Sequence, residues 1–183
     1  MNIFFLSLIP RYAARYHCDK HVVKMILECC QMLWMAFHIT GKRGWELNVP
    51  DGIKIYKPMH RNHPCTIWVR THPNNFRWLA ELADCLCRQY EKRYNKVHAC
   101  RGMVSWFLKN TPKCNSKDKA KPGTQYAKYN YPPRCTPPPL CVAEECKHKD
   151  LVKSYRHYYH VDKYELRKVA EWRYTKTPYW WKY

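Results

Sequence analysis

The stretch YHCDKHVVKMILECCQ, residues 16–31, places His17, His21, Lys24, Glu28 and Gln31 at steps of four, three, four and three. At about 100° per residue, these five side chains occupy an arc of roughly 80° on one helix. Val22, Val23, Met25, Ile26 and Leu33 take the rest of the circumference. A helix apolar on that many sides has to be surrounded by the rest of the chain. Its polar stripe is then either its only wet face or the lining of a site. Solvated faces are commonly filled with Lys and Glu, and Lys24 with Glu28 would make an ordinary i,i+4 pair. Two histidines, a lysine, a carboxylate and an amide form a more varied set, able to exchange protons and hold a ligand. A lysine desolvated between His21 and Glu28 can lose its proton and act as a nucleophile. This marks Lys24, Glu28, His17 and His21 as candidate catalytic residues and Gln31 as a candidate substrate contact.

That helix is expected to start near Pro10, a residue suited to a helix N-terminus, and to run to about Thr40, where Gly41 ends it. Before it, MNIFFLSLIP reads as a buried strand or extended segment. Gly, Pro and Asn punctuation makes 41–72 a loop, with a short strand expected at Ile53–Tyr56. Phe76, Leu79, Ala80, Ala83, Leu86 and Tyr90 recur at helical spacing and predict a helix over 73–94, and a short one is expected over 102–108. Residues 109–150 are rich in Pro, Lys and Cys and are too long for an ordinary connection. A final helix is expected over 151–172, with Tyr155, Tyr159, Leu166 and Val169 on one face. At 183 residues the chain suits one domain. Its expected parts are 1–40, 41–72, 73–108, 109–150 and 151–183. The fold class is mainly α, a single-domain helical bundle with long ordered Pro/Cys/Lys-rich loops.

Charge narrows the partners. Lys and Arg number 33 against 14 Asp and Glu, a formal net charge of +19, on a chain that is 15% aromatic. That imbalance points to a polyanion, nucleic acid first and DNA in particular. The C-terminal stretch supplies a suitable surface: aromatic rings alternate with Arg156, Lys163, Arg167, Lys168, Arg173, Lys176 and Lys182. Rings can stack on bases while cations take phosphates, which marks Arg156, Tyr159, Lys163 and Trp172 as substrate-binding. The loop KPMHRNHPCTIW adds His60, Asn62 and His63 as recognition groups, since loops often carry them. No apolar run approaches the roughly 20 residues that span a bilayer, so no membrane partner is expected.

Eleven cysteines is an odd number, and no signal peptide is recognisable ahead of them. A reducing intracellular compartment with free or metal-bound thiols is therefore expected. Paired C-x2-C elements, the specific zinc signal, do not occur. Cys114, Cys135, Cys141 and Cys146, with His148 nearby, could staple the Pro-rich loop around one zinc, but their spacing is irregular. His17 with His21 lacks a third ligand, and His63 with Cys65 alone is too little for a metal site. The expectation is no catalytic metal and no cofactor.

PRYAARYHCDKHVVK resembles the opening helix of the pyrimidine-dimer DNA glycosylases, small all-helical enzymes of phages and bacteria. Pro10, Tyr12, Arg15 and His17 take the places of the family's Pro, Tyr, Arg and His. The ending TPYWWKY resembles the aromatic tail that those enzymes lay near DNA. The resemblance implies an attack on the sugar by an N-terminal amine exposed by Met removal, aided by a Glu seven residues past the His. Counted from His17, that place holds Lys24, and Asn2 disfavours removal of Met1. The expectation is therefore that Lys24 supplies the amine and Glu28 the carboxylate. HCDKHVVKMILE, NHPCTIW and YRHYYHVDK together resemble an uncharacterised family of phages and large DNA viruses.

Two functions stay open on these grounds. The favoured one is a DNA glycosylase or glycosylase/lyase acting on bases or the sugar linkage. The other is a non-enzymatic viral nucleic-acid-binding or virion protein, with zinc holding its cysteines.

Overall fold

The computed structural model describes residues 1–39 and 48–181. Six α-helices form the fold: α1 Pro10–Tyr16, α2 Asp19–Ile39, α3 Pro64–Thr71, α4 Pro73–Tyr94, α5 Arg101–Lys109 and α6 Leu151–Tyr158. A π-helical turn, Tyr159–Leu166, continues α6. Among the described residues there is no strand, only isolated bridges at Tyr126–Pro139 and Tyr129–Asp150. The fold is mainly α, as expected.

The first departure from expectation is the largest. The segment expected to be one helix from Pro10 is two, broken where His17 takes extended backbone (φ −61°, ψ 135°). Arg93, at the end of α4, accounts for the break. Its side chain is fully buried, and its guanidinium donates to the carbonyls of His17 (2.8 Å) and Arg15 (2.9 Å) and to the Asp19 carboxylate (3.0 Å). Carbonyls at the end of α1 that would otherwise lack partners are thereby satisfied. Asp19, on the first residue of α2, also accepts the Arg173 backbone N–H (2.7 Å). Thr40 and Gly41, where the helix was expected to end, lie outside the described residues.

Local chemistry explains the other helix boundaries. Pro64 and Pro73 each stand at a helix start, and the preceding His63 and His72 accept the N–H groups of Cys65 and Asn74 through Nδ1, each at 3.2 Å. The sequence reading took Pro64 for loop punctuation and so missed α3, whereas Pro at the first helical position starts a helix. Asn95 closes α4 in the left-handed region (φ 51°). The strand expected at Ile53–Tyr56 does not form. The final helix stops well short of residue 172, and Leu166, expected on its buried face, is 72% exposed.

Helix α2 lies at the centre, against α3, α4 and α5. By length and composition alone it could cross a bilayer, contrary to the sequence reading. In this fold its apolar sides are core, with Ile26, Cys29, Cys30, Met32 and Leu33 fully buried. The N-terminal segment is extended and threads through the same core: Ile3, Phe4, Phe5 and Leu6 are at most 5% exposed. Its backbone carbonyls are met by Arg156 Nε at Leu6 (3.1 Å) and Trp78 Nε1 at Leu8 (2.8 Å).

The long Pro/Cys/Lys-rich segment is ordered by hydrogen bonds. Asn75 exchanges bonds with Thr136 (2.7 and 3.0 Å), Trp68 Nε1 donates to the Thr136 carbonyl (2.8 Å), and Arg70 pairs with Asp118 (2.6 Å). Cys114, Cys135, Cys141 and Cys146 do not gather around a common point among the described residues, so the zinc staple considered from sequence is not formed by that set.

Replacing Arg93 by Met should strand Asp19 and two carbonyls in the interior and cost about 3–5 kcal/mol. Arg88→Met, at a largely exposed partner of Asp84, should cost no more than about 1 kcal/mol. Urea denaturation of the two variants checks this; equal midpoints would mean that the clamp does not hold the break.

Candidate active site

The break separates residues that one straight helix would have kept on one stripe. His17 is fully buried in the core, its Nδ1 donating to the Ala13 carbonyl (2.7 Å) while Nε2 has no partner. Burial, opposed by that hydrogen bond, lowers its pKa to about 4. It therefore does not reach the cleft to which the sequence reading assigned it. His21, on α2, does. It stacks on Phe4 (ring centroids 4.6 Å apart), and its Nδ1 lies 2.6 Å from the Tyr159 hydroxyl. Burial first, then repulsion by a proton on His17 and by the Lys163 and Lys24 charges, holds its pKa well below the ordinary value.

Two turns beyond His21, Glu28 is the one carboxylate among the described residues lining a cleft of about 250 Å³, shared with Met1, Asn2, Phe4, His21, Lys24, His63, Cys141, Tyr158 and Lys163. Three donors converge on it. The Asn2 backbone N–H donates to Oε2 at 3.2 Å, the Met1 amine lies 3.8 Å from the same oxygen, and Lys24 Nζ is 3.4 Å from Oε1. The two amines differ in setting. The Lys24 side chain is 69% exposed, so the desolvation expected for it is not provided. The Met1 side chain is 2% exposed, and its sulfur accepts from the Thr66 hydroxyl (3.4 Å). The Met1 side chain thus anchors the N-terminal amine beside Glu28, whereas Lys24 reaches it from solvent.

Asn2 organises this end of the cleft. Its side-chain amide donates to the Cys141 carbonyl (2.7 Å), and its Oδ1 accepts from the Ile3 N–H (2.8 Å) and the Cys65 thiol (3.5 Å). The Cys65 thiol also lies 3.6 Å from Cys141 Sγ. That hydrogen bond lowers the Cys141 thiol pKa, and burial raises that of Cys65. His63 is lowered by burial first and by the nearby N-terminal amine second.

The remaining predicted residues divide. Lys163, in the π-helical turn, lines the cleft, paired with Asp162 and 4.9 Å from the Tyr158 ring centroid. Extra residues in such turns re-aim side chains, frequently at functional sites. Gln31 is half-buried one turn past Glu28 and does not line the cleft; His60 and Asn62 are exposed in the preceding turn. Tyr159, expected to meet substrate, is fully buried as the partner of His21. Arg156 is held by the Leu6 carbonyl and packs 4.9 Å from the Trp180 ring centroid, and Trp172 Nε1 donates to the Tyr16 carbonyl (3.1 Å). These rings and cations tie the C-terminal tail to the core. Arg167, Lys168, Arg173 and Lys176 face outward beside exposed Tyr174 and Tyr179, as expected of a phosphate-contacting surface; Lys182 lies outside the described residues.

With this geometry in view, comparison with known families is informative. The family model described as Pyrimidine dimer DNA glycosylase matches residues 1–102, more than half of the chain. The chain belongs to this family. Membership makes it a DNA-binding protein of the DNA-repair glycosylase type. No curated protein and no solved structure matches it. The family's seven-residue step from His to Glu, counted above from His17 to Lys24, is met without substitution from His21 to Glu28. The pair with this step that lines the cleft is thus one helical turn on from His17 and Lys24. Met1, Asn2, Phe4, Tyr158 and Cys141 were missed as cleft residues, because no spacing in the sequence ties them to α2.

The neutral, buried His17 gives a pH test of the fold. Its pKa is lower folded than unfolded, so between about pH 6.5 and 4 the unfolded chain binds more protons and stability rises with pH. His17 should contribute about 3 kcal/mol at neutral pH, lost as pH falls from about 6.5 to 4, with His21 adding in the same direction. Chemical denaturation across that range should give a slope that His17→Phe flattens; an unchanged slope would contradict the assignment.

Proposed function

We propose that the protein is a DNA glycosylase/lyase for pyrimidine dimers, with the N-terminal amine as nucleophile and Glu28 as acid/base. The observation that carries this reading is the convergence of the N-terminal amine and a lone carboxylate in one cleft, with Met1 N 3.8 Å from Glu28 Oε2 and the Met1 side chain anchored in the core. The neutral amine attacks C1′ of the damaged nucleotide. The bond from C1′ to the base breaks, its electron pair leaving with the base, which takes up a proton. Glu28 accepts the proton that the amine loses and returns it to O4′ as the C1′–O4′ bond breaks, its electron pair staying on the oxygen, which leaves a protonated imine between the amine nitrogen and C1′. From the imine, loss of a proton from C2′ expels the 3′ phosphate and nicks the strand.

Lys24 and Lys163 flank this centre with positive charge and suit the phosphates on either side of the lesion. His21, neutral and locked between Phe4 and Tyr159, is a positioning residue that fixes the face of α2 carrying Glu28. Asn62 and His60, exposed above His63, suit contacts with DNA beyond the cleft. All eleven cysteines are free thiols, which supports work in a reducing compartment, host cytoplasm or nucleus if the chain is viral.

Incision of ultraviolet-irradiated duplex DNA tests this reading. Glu28→Gln should lower turnover by about 10²–10⁴-fold with DNA affinity changed only a few-fold. Lys24→Ala should retain turnover within about tenfold while weakening binding. Loss of all turnover in Lys24→Ala with unchanged binding would make the lysine the nucleophile instead, and wild-type protein that binds but never cuts irradiated DNA would remove the enzymatic reading.

A further inference from the structure

We propose that His63, Cys65 and Cys141 form a zinc site at the edge of the Glu28 cleft. One ligand atom from each lies within 4.8 Å of the other two. The two sulfurs are 3.6 Å apart, close to the roughly 3.8 Å that separates two thiolates each bound about 2.3 Å from one tetrahedral Zn2+. Two thiolates and an imidazole are the soft and borderline donors that select zinc over magnesium or calcium. A set of three protein ligands leaves a fourth position, and because His63 and Cys141 both line the cleft, that position can be taken by water. Two thiolates also balance the charge of the ion, so that loading the site adds nothing to an already cationic cleft. Binding releases the thiol protons to solvent and involves no change of oxidation state.

The surroundings are those of a built site. Cys65 sits in the first turn of α3, its backbone N–H held by His63 Nδ1 (3.2 Å), which fixes two of the three ligands to one helix start. The Cys141 backbone is held from both sides, its carbonyl by Asn2 Nδ2 (2.7 Å) and its N–H by the Tyr155 hydroxyl (3.4 Å). Such partners orient metal ligands and tune their affinity. The ion would join the start of α3 to the Pro-rich segment directly beneath Asn2, whose N–H donates to Glu28. It is a pin for the floor of the cleft.

The test uses the full-length protein, reduced and stripped with a chelator, then given Zn2+ or Co2+ alone. The expected result is about one ion bound per chain, a Co2+ absorption spectrum with thiolate charge-transfer and tetrahedral d–d bands, and a Tm raised by about 5–10 °C at a hundredfold excess of Zn2+ over Kd. Cys141→Ser, at a half-exposed position that should fold, is expected to weaken binding at least about 100-fold, and Cys65→Ser and His63→Asn to weaken it likewise. A Cys114→Ser, Cys135→Ser, Cys146→Ser triple variant is expected to bind as wild type. Absence of a bound ion, an ion retained by Cys141→Ser, or a Cys65–Cys141 disulfide whose reduction yields no zinc affinity would overturn the proposal.

Discussion

The rest of the structure depends on Arg93. Buried without solvent, its guanidinium has to find acceptors, and it finds them at the end of α1 and on Asp19 at the start of α2. Desolvation lowers its pKa and Asp19 raises it, the balance expected of an interior ion pair that is compensated by hydrogen bonds. The consequence is a fixed break between two helices that sequence periodicity alone would join. His17 falls on the core side of that break, and His21 and Glu28 fall on the cleft side. A site that uses only the second half of the stripe is thus set up by a residue more than sixty positions away in sequence.

The second constraint is the buried N-terminal segment. An extended chain has no internal hydrogen bonds, so running it through a core leaves backbone groups that must be met by side chains. Arg156 and Trp78 meet two of its carbonyls, and Asn2 makes five hydrogen bonds, to Glu28, Cys141, Ile3, Cys65 and Tyr155. Burial of Ile3 to Leu6 supplies the hydrophobic gain, and the same packing delivers the terminal amine to Glu28. Stability and site geometry come from one set of contacts here. Replacing Phe4 would disturb both, because its ring stacks on His21 and packs edge-on against Tyr159.

Periodicity was sufficient where a helix buries one face and has ordinary ends. Helices α4 and α5 were legible from apolar spacing to within a residue or so, as was the extended entry of Met1–Ile9. It failed where tertiary contacts overrode local pattern. Nothing near His17 in sequence announces a break, since the acceptor-seeking group that makes it belongs to α4. Helix α3 was hidden because Pro64 reads equally as a turn or a helix start. Of the stripe, Lys24, Glu28 and His21 line one cleft, and His17 and Gln31 do not. The exposure of Lys24 and the anchoring of the Met1 side chain are properties of packing that spacing does not carry. Tyr159 read as a base-stacking ring and is a core partner of His21. Cys141 could not be tied to His63 and Cys65, because the loop that joins them is directed by Asn75 and Arg70, not by cysteine spacing.

The central claim is that the amine beside Glu28 at the chain's N-terminus carries the chemistry. Borohydride added during reaction with pyrimidine-dimer or abasic DNA reduces an imine to a stable adduct, and peptide mapping then finds the attached residue. The account predicts one adduct on the N-terminal peptide, present in Lys24→Ala and lost when the terminal amine is blocked. An adduct on the peptide containing Lys24, or one that survives blocking of the terminus, would contradict it.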